Sequence, residues 1–423
     1  MEFAGEITDP VHKSIRFSQV EKEVIDCPEF QRLRRIRQLA GAHLVYPSAQ
    51  HSRFEHSLGA MHIAGLAGES LLRKGYIDND GVVQELRLAA LLHDIGHGPF
   101  SHLFEEVLEY RRNTSHEEIG KKIVKSSDIA NILGKHGYSA DQICRMSFSA
   151  GKVTFLNEVI SGGLSADMMD YLPRDGLFTG AEYAKVDYHR IVSSLEVWKN
   201  RLAIDKSALN SLESMLISRY QMFKAVYFHK TVRAAEVMLV NSMIAADREL
   251  RLTDTSLDNY LALTDEATLE RLCAIEGSGK IAFAARLARD YRDRRLLKSV
   301  YEKFLHKRDR TRMDRKALKD LAVRIADGAR VDSDYVIVDA SRAPSMPLTP
   351  TKVEMYSVLT VDRDGGREMP ISEIPLVEPI SGFFDMLRVY TTAENRGKVE
   401  RSVKKVLGNQ ETLYMGGGKV HGH

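Results

Sequence analysis

Apolar residues recur at three- and four-residue spacing through most of residues 18–330, the pattern of amphipathic and buried helices. Pro28, with Asp26 or Cys27 ahead of it as cap, predicts a helix over PEFQRLRRIRQL, with Phe30, Leu33 and Ile36 as its apolar stripe. Residues 83–95, VQELRLAALLHDI, are apolar on nearly every side and predict a buried central helix stopped by Gly96 and Gly98. From Ile204 to about Leu250 the helical pattern runs without proline or glycine. A further helical stretch runs from Asp265 to Asp327, broken near Gly277 and Gly279.

After Gly328 the period changes. DYVIVDA (334–340), VEMYSVLTV (353–361) and FDMLRVYTT (384–392) are β-branched and aromatic runs separated by turn residues, and ENRGKVERSVKKVLG closes the region as an amphipathic helix. The expectation is a mainly α protein, with a helical domain over 1–330 and a small α+β domain over 331–410. A flexible tail ending in GGGKVHGH covers 411–423.

Composition narrows the class without naming a partner. Sixty basic and 58 acidic residues leave a formal charge of +2 on 423 residues, so only local charge clusters carry information. Cys27, Cys144 and Cys273 lie far apart, which fits a reduced cytoplasm. MEFAGEITDP has neither the basic start nor the apolar run of a signal peptide, and no stretch nears the roughly eighteen apolar residues of a membrane span. The basic run at 301–319 could meet nucleic acid or an effector phosphate. A solvated face explains such a run as well, and only Tyr301 and Phe304 could stack on bases, so nucleic acid is weakly supported.

The histidines change the picture. Eight of 15 (His43, His51, His56, His62, His93, His97, His102 and His116) fall between residues 43 and 116. His43, His51 and His62 fit ordinary core or surface positions. His93 and Asp94 sit at the end of the buried helix, where an adjacent imidazole and carboxylate are costly without a metal or charge partner. With His56 of RFEHS and Asp167 of SADMMDYLPRD they make two nitrogens and two oxygens. That set suits a borderline divalent ion such as Fe, Mn, Co, Ni or Zn. Arg219, Phe223, Tyr227 and Lys230 recur at spacings of four, four and three, which spacing alone reads equally as a ligand-lining stripe or as a solvated face with a core aromatic.

The blocks DPVHKSI (9–15), QRLRRIRQL (31–39), RFEHSLG (53–59), LLHDIGHGPFSH (91–102), His116-Glu117, DMMDYLPRD (167–175) and VYFHK (226–230) resemble the HD-domain phosphohydrolases. Within them the chain is similar to the deoxynucleotide triphosphohydrolases, including the mammalian enzyme with SAM and HD domains. The resemblance implies an HD-domain helical bundle with its core at about 50–180, and a homo-oligomer, dimer or tetramer. It also implies a metal held by His56, His93, Asp94 and Asp167, with Mg able to accompany the nucleotide. Bound water would then attack the α-phosphorus of a deoxynucleoside triphosphate, releasing deoxynucleoside and triphosphate. His102 would protonate the leaving oxygen, oriented by Glu105, while His97 and His116 would neutralise phosphate. Arg53, Arg219, Tyr227 and Lys230 would contact substrate, Tyr171 and Asp175 would meet sugar and phosphate, and Gln38 and Leu39 would wall the sugar. Asp26, Gln31 and Arg34 match residues that read an activating nucleotide.

The chain departs from the mammalian pattern at Met168, which stands in place of a phosphate-binding lysine, at Ser165, in place of a carboxylate, and at Phe223, in place of a histidine. Thr8 replaces an asparagine of the activator site, and Gly5 and Glu6 do not reproduce its basic segment. Two alternatives stay open: an HD enzyme for a monophosphate, cyclic or dinucleotide ester, and a nucleic-acid-binding protein with a vestigial site. The intact metal-ligand set speaks against the second.

Overall fold

The computed structural model describes residues 1–148, 153–254, 256–304, 315–344, 357–362, 365–370 and 383–408. The 411–423 tail and the middle of the 301–319 basic run lie outside these. The protein is mainly α-helical with small sheets, as the hydrophobic pattern predicts. Among the described residues no helix is long and apolar enough to cross a membrane.

Two compact units divide the chain. Met1–Met222, Asp247–Arg271 and Met346–Ser381 form the first, and Phe223–Ala246, Leu272–Ser345 and Gly382–His423 the second. Strands from the 331–410 stretch fall in both. Ser357–Asp362 and Gly365–Pro370 extend the Leu195–Trp198 and Arg201–Asp205 hairpin into a four-stranded sheet of the first unit. Lys298–Phe304, Phe383–Thr391 and Val336–Pro344 form an antiparallel sheet of the second, in that spatial order. The helices Arg315–Ala329 and Arg396–Leu407 cover that sheet, burying Leu321, Ile325, Val399 and Val403 against Leu387 and Val389. Strand period two explains why Leu387 and Val389 share a face while Met386, Arg388 and Tyr390 share the other.

The first unit is built around the Arg53–Arg73 helix, capped by Ser52 and Glu55, which packs against Asp80–Leu92 and Ala166–Thr179. Small residues let these helices approach closely. A Cβ at Gly59 would stand 1.8 Å from Asp170 Oδ1 and 2.6 Å from Arg174 Nη2. One at Gly96 would stand 2.0 Å from the His116 carbonyl oxygen. An N-terminal hairpin, Gly5–Asp9 with Lys13–Phe17, precedes these helices in the chain.

Three predicted helices differ. PEFQRLRRIRQL forms only a helical turn at Pro28–Gln31 and a 3₁₀ turn at Arg32–Arg35. Its apolar stripe is helical in period, but the backbone leaves the helix at Ile36 (φ −124°, ψ 109°) to pair Arg37 with Ser52 and to bond Gln38 N–H to the His51 carbonyl at 3.0 Å. The 204–250 run is broken twice. Its first residues belong to the Arg201–Asp205 strand, and a π-helical turn at Phe223–Tyr227 separates Leu209–Met222 from Lys230–Leu250. In the 265–327 run, Lys298–Phe304 is a strand because it pairs with Phe383–Thr391 across the chain.

Alanine at position 59 should destabilise the protein even though helix propensity alone favours it by about 1 kcal/mol. The expected net loss, about 1–3 kcal/mol from overpacking, is read as a lower urea midpoint at unchanged slope.

Candidate metal centre

The Asp80–Leu92 helix, N-capped by Asn79, delivers His93 and Asp94 just past its last turn. His56 comes from the first turn of Arg53–Arg73 and Asp167 from the first turn of Ala166–Thr179, whose N-cap Ser165 accepts from Met168 N–H. Ser165 is therefore a helix cap here. His56 Nε2 lies 3.1 Å from Asp167 Oδ1 and 3.6 Å from Asp94 Oδ2. His93 Nε2 lies 3.4 Å from Asp94 Oδ1 and 3.8 Å from Asp167 Oδ1. Both Nε2 atoms are buried and make no hydrogen bond. His56, His93 and Asp94 place ligand atoms within 4.8 Å of one another, close enough to hold one ion. Asp167, with its side chain 34% exposed, opens the cluster to solvent.

The far side of each imidazole is fixed. His93 Nδ1 meets the Ala90 carbonyl at 2.7 Å, and His56 Nδ1 meets Asp170 Oδ2 at 2.8 Å, so in both rings Nε2 is the atom turned to the cluster. Burial opposes charging His56, but the Asp167 and Asp170 carboxylates override it and hold its pKa at about 10. Burial likewise opposes ionising Asp94, and Arg53, His93 and His97 hold it well below the usual carboxylate range. The Asp94 and Asp167 carboxylates around these rings call for positive charge at the cluster. The orphaned Nε2 atoms, the mixed nitrogen and oxygen donors and this demand for positive charge fit a divalent cation.

Sequence reasoning missed the layer behind His56. Asp170 is fully buried and accepts from His12 Nε2 at 2.7 Å and from Arg174 Nη2 and Nε at 2.8 and 2.9 Å. Arg174 Nη1 reaches Asp9 Oδ2 at 2.8 Å, and Asp9 Oδ1 accepts the backbone N–H groups of Val11 and His12. The i, i+4 spacing of Asp170 and Arg174 was a signal for this pair.

Beside the cluster, His97 Nε2 lies 3.3 Å from Asp94 Oδ1, and its ring stacks on His116 with centroids 3.9 Å apart. Burial and Arg53 hold the His97 imidazole well below its ordinary pKa. Glu105 contacts His116 Nδ1 at 2.5 Å and His102 Nδ1 at 3.3 Å, and His102 is exposed. Asp94, His97 and His116 also bring ligand atoms within 4.8 Å, so Asp94 faces both histidine groups. Arg53 pairs with Asp94 and donates to Ser101 Oγ at 2.7 Å, which leaves its buried Nη2 without a partner. The Tyr171 hydroxyl and Gln38 Oε1 are buried and unbonded as well. Tyr171 lies edge-on to His56 at 6.5 Å, and the Arg219 guanidinium sits 5.8 Å from the Tyr171 ring. Leu39 is half-buried next to Gln38.

Other expected contacts are distributed differently. Asp175 is buried with Oδ1 2.7 Å from His51 Nε2, and the His51 ring stacks on Phe178. Met168 is buried and apolar. Arg219 lies on the Leu209–Met222 helix, whereas Phe223 and Tyr227 lie in the π-helical turn and Lys230 opens the next helix, so the four form no single helical stripe. Tyr227 and Lys230 belong to the second unit. Gln31 and Arg34 pair through Arg34 Nε at 2.8 Å, while Asp26 pairs with Lys22 at 2.6 Å and lines a cavity of about 440 Å³ with Glu23, Cys27 and Asp128.

Comparison with known proteins matches residues 53–155 to an HD domain and residues 186–413 to an HD associated region. An uncharacterized protein of Methanocaldococcus jannaschii is 37% identical over 278 residues, 63% of this chain and 57% of that protein. A deoxynucleoside triphosphate triphosphohydrolase SAMHD1 homolog of Dictyostelium discoideum is 27% identical over 359 residues, 78% of this chain and 66% of that protein. The chain thus spans less than two thirds of the length of these relatives. The crystal structure of a hypothetical protein from Aquifex aeolicus superposes with a TM-score of 0.76 at 30% identity, covering 95% of this chain and all of that one.

Replacing Asp170 with asparagine should weaken Mn²⁺ binding by about 10–100-fold, because His56 loses the acceptor that orients it. Titration calorimetry reads this directly, and unchanged affinity would separate Asp170 from the metal centre.

Proposed function

The chain belongs to the HD-domain family, and from that premise we propose that it is a metal-dependent phosphohydrolase that releases triphosphate from deoxynucleoside triphosphates. The observation carrying this reading is the buried His56, His93 and Asp94 cluster with unbonded Nε2 atoms and the half-exposed Asp167 at its mouth, beside the unbonded Arg53 Nη2 and Tyr171 hydroxyl. A chain built only to pack would leave few such buried polar atoms unsatisfied. The name of the Dictyostelium relative supports the triphosphate substrate.

A divalent ion held by the cluster would supply Lewis acidity, lowering the pKa of water and polarising a phosphoryl oxygen. The side chains would do the rest. Arg53, its charge shared with Asp94, would direct Nη2 to a phosphate oxygen. The neutral, stacked His97 and the Glu105-held His116 would donate hydrogen bonds to the α-phosphate as charge builds there. Attack by water on the α-phosphorus breaks its bond to the 5′ oxygen, and the exposed His102, oriented by Glu105, would deliver the proton that oxygen takes up. Tyr171 and Gln38 offer a hydroxyl and an amide to the sugar. Met168 brings no charge, so Arg53 and Arg219 are the cations on the first unit assigned to the phosphates. In this reading Asp26, Gln31 and Arg34 would bind an activating nucleotide.

Metal-loaded protein (Mn, Fe, Co and Mg in turn) should convert a deoxynucleoside triphosphate into deoxynucleoside plus intact triphosphate, resolved by ion-exchange chromatography. Asp94→Ala should lower the rate by more than about 1,000-fold, since it removes a metal ligand and the Arg53 partner together. No turnover of any deoxynucleoside triphosphate, with the other nucleotides present as activators, would overturn the substrate assignment. Turnover of mononucleotides or cyclic nucleotides in its place would keep the metal chemistry and move the substrate.

A further inference from the structure

Between His97 and His102 the backbone passes through two left-handed residues that are not glycine, Phe100 (φ 60°) and Ser101 (φ 57°). Each costs on the order of 1–3 kcal/mol and persists only where its surroundings hold it. The holding contacts come largely from two distant segments. Tyr260 Oη–H donates to the Gly96 carbonyl at 2.8 Å, and Arg32 Nη2 donates to the His97 carbonyl at 2.7 Å. Phe100 N–H donates to Asp265 Oδ1 at 2.6 Å. The other oxygen of the same carboxylate, Oδ2, accepts Arg37 N–H at 3.0 Å, and the Arg37 carbonyl accepts Ser101 Oγ–H at 2.6 Å. Asp265 is 1% exposed.

One buried carboxylate therefore joins the backbone beside Gln38 to the backbone between His97 and His102. We infer that Asp265 is a positioning residue, a carboxylate clamp that sets the phosphate-facing histidine loop against the Gln38–Leu39 wall without touching substrate or metal. The catalytic half of this inference rests on the phosphohydrolase reading; the clamp itself does not. Asparagine has a single acceptor oxygen where the carboxylate has two, so it can hold one of the two amides but not both.

The clamp has a pH dependence of known sign. Burial pushes the Asp265 carboxyl up to about 6, against the Phe100 and Arg37 N–H groups and the Arg37 guanidinium, which lies 3.6 Å away; Glu266 pushes it further up, and the buried Arg32 guanidinium also faces it. Its folded pKa lies above the unfolded one, so the folded state takes up the proton first. The stability this group contributes is thus present below about pH 4 and declines as pH rises through about 6. Opening of the clamped loops, which cover this carboxylate and would expose it to water, follows the same sign.

Hydrogen exchange of the full-length, Mn²⁺-loaded chain, followed by mass spectrometry from pH 5 to 8, tests this. In the wild type, protection factors of peptides covering 36–40 and 96–103 should fall together as pH rises, with a midpoint near pH 6. Asp265→Asn should lower both by about tenfold and flatten their pH dependence, while Mn²⁺ affinity stays within about threefold. Arg37→Gln, which keeps the backbone amide but removes the guanidinium, should move the midpoint to higher pH. Where turnover is measurable, kcat should fall more than KM in Asp265→Asn. Wild-type-like exchange in Asp265→Asn, independent behaviour of the two segments, or loss of Mn²⁺ affinity alongside them would overturn the clamp. Absence of turnover in the wild type would overturn the phosphohydrolase reading and leave the exchange result to decide the clamp.

Discussion

The Asp170 carboxylate is the interaction on which the rest of the centre depends. It is buried beside three groups that carry or can carry positive charge, His12, His56 and Arg174, and both of its oxygens are used. A buried charge so placed is tolerable only because every lone pair has a donor, and a half-satisfied network of this kind costs more than an apolar core. Several features follow from protecting it. Gly59 is glycine because any side chain would occupy the space of the carboxylate. Asp9 is needed because Arg174 Nη1 donates to it while Nε and Nη2 are held by Asp170. His56 keeps one ring nitrogen for the cluster because the other is committed here.

This layer was the part of the site hardest to read from the sequence. The cluster of His56, His93 and Asp94 was easier to expect, because an imidazole next to a carboxylate at the end of an apolar helix has few inexpensive explanations. His12 and Asp9 carry no such mark. Their partners lie 158 and 165 residues away in the chain, and nothing in DPVH distinguishes a buried polar anchor from a turn. His51 read as an ordinary core histidine, and it is one in burial, yet it engages the Asp175 carboxylate. Burial is a local property that sequence pattern reports, whereas the identity of a polar partner is not.

The same distinction holds for the fold. The Asp80–Leu92 helix and the closing Arg396–Leu407 helix follow from their periodicity. The π-helical turn at Phe223–Tyr227 carries no proline or glycine to announce it, and the departure from helix at Ile36 is made by pairing with the chain around Ser52. Lys298–Phe304 becomes a strand because Phe383–Thr391 is there to receive it. Met168 and Ser165 are read from their surroundings in the same way, one as core and one as a cap.

The N-terminal hairpin has a consequence for how the protein is made. Asp9 and His12 leave the ribosome ahead of Arg174 and Asp170, which follow more than 150 residues later; at about 5–20 residues per second that is a wait of several seconds or longer. Until then His56 lacks the acceptor that aims it, and the hairpin has no buried charge to answer. Closing so long a loop is entropically costly, and local contacts cannot substitute for it. Assembly of the cluster is therefore a late event in biosynthesis: a nascent chain that stalls before the Ala166–Thr179 helix would carry His56, His93 and Asp94 in order along its sequence and still lack the carboxylates of Asp167 and Asp170 beside them.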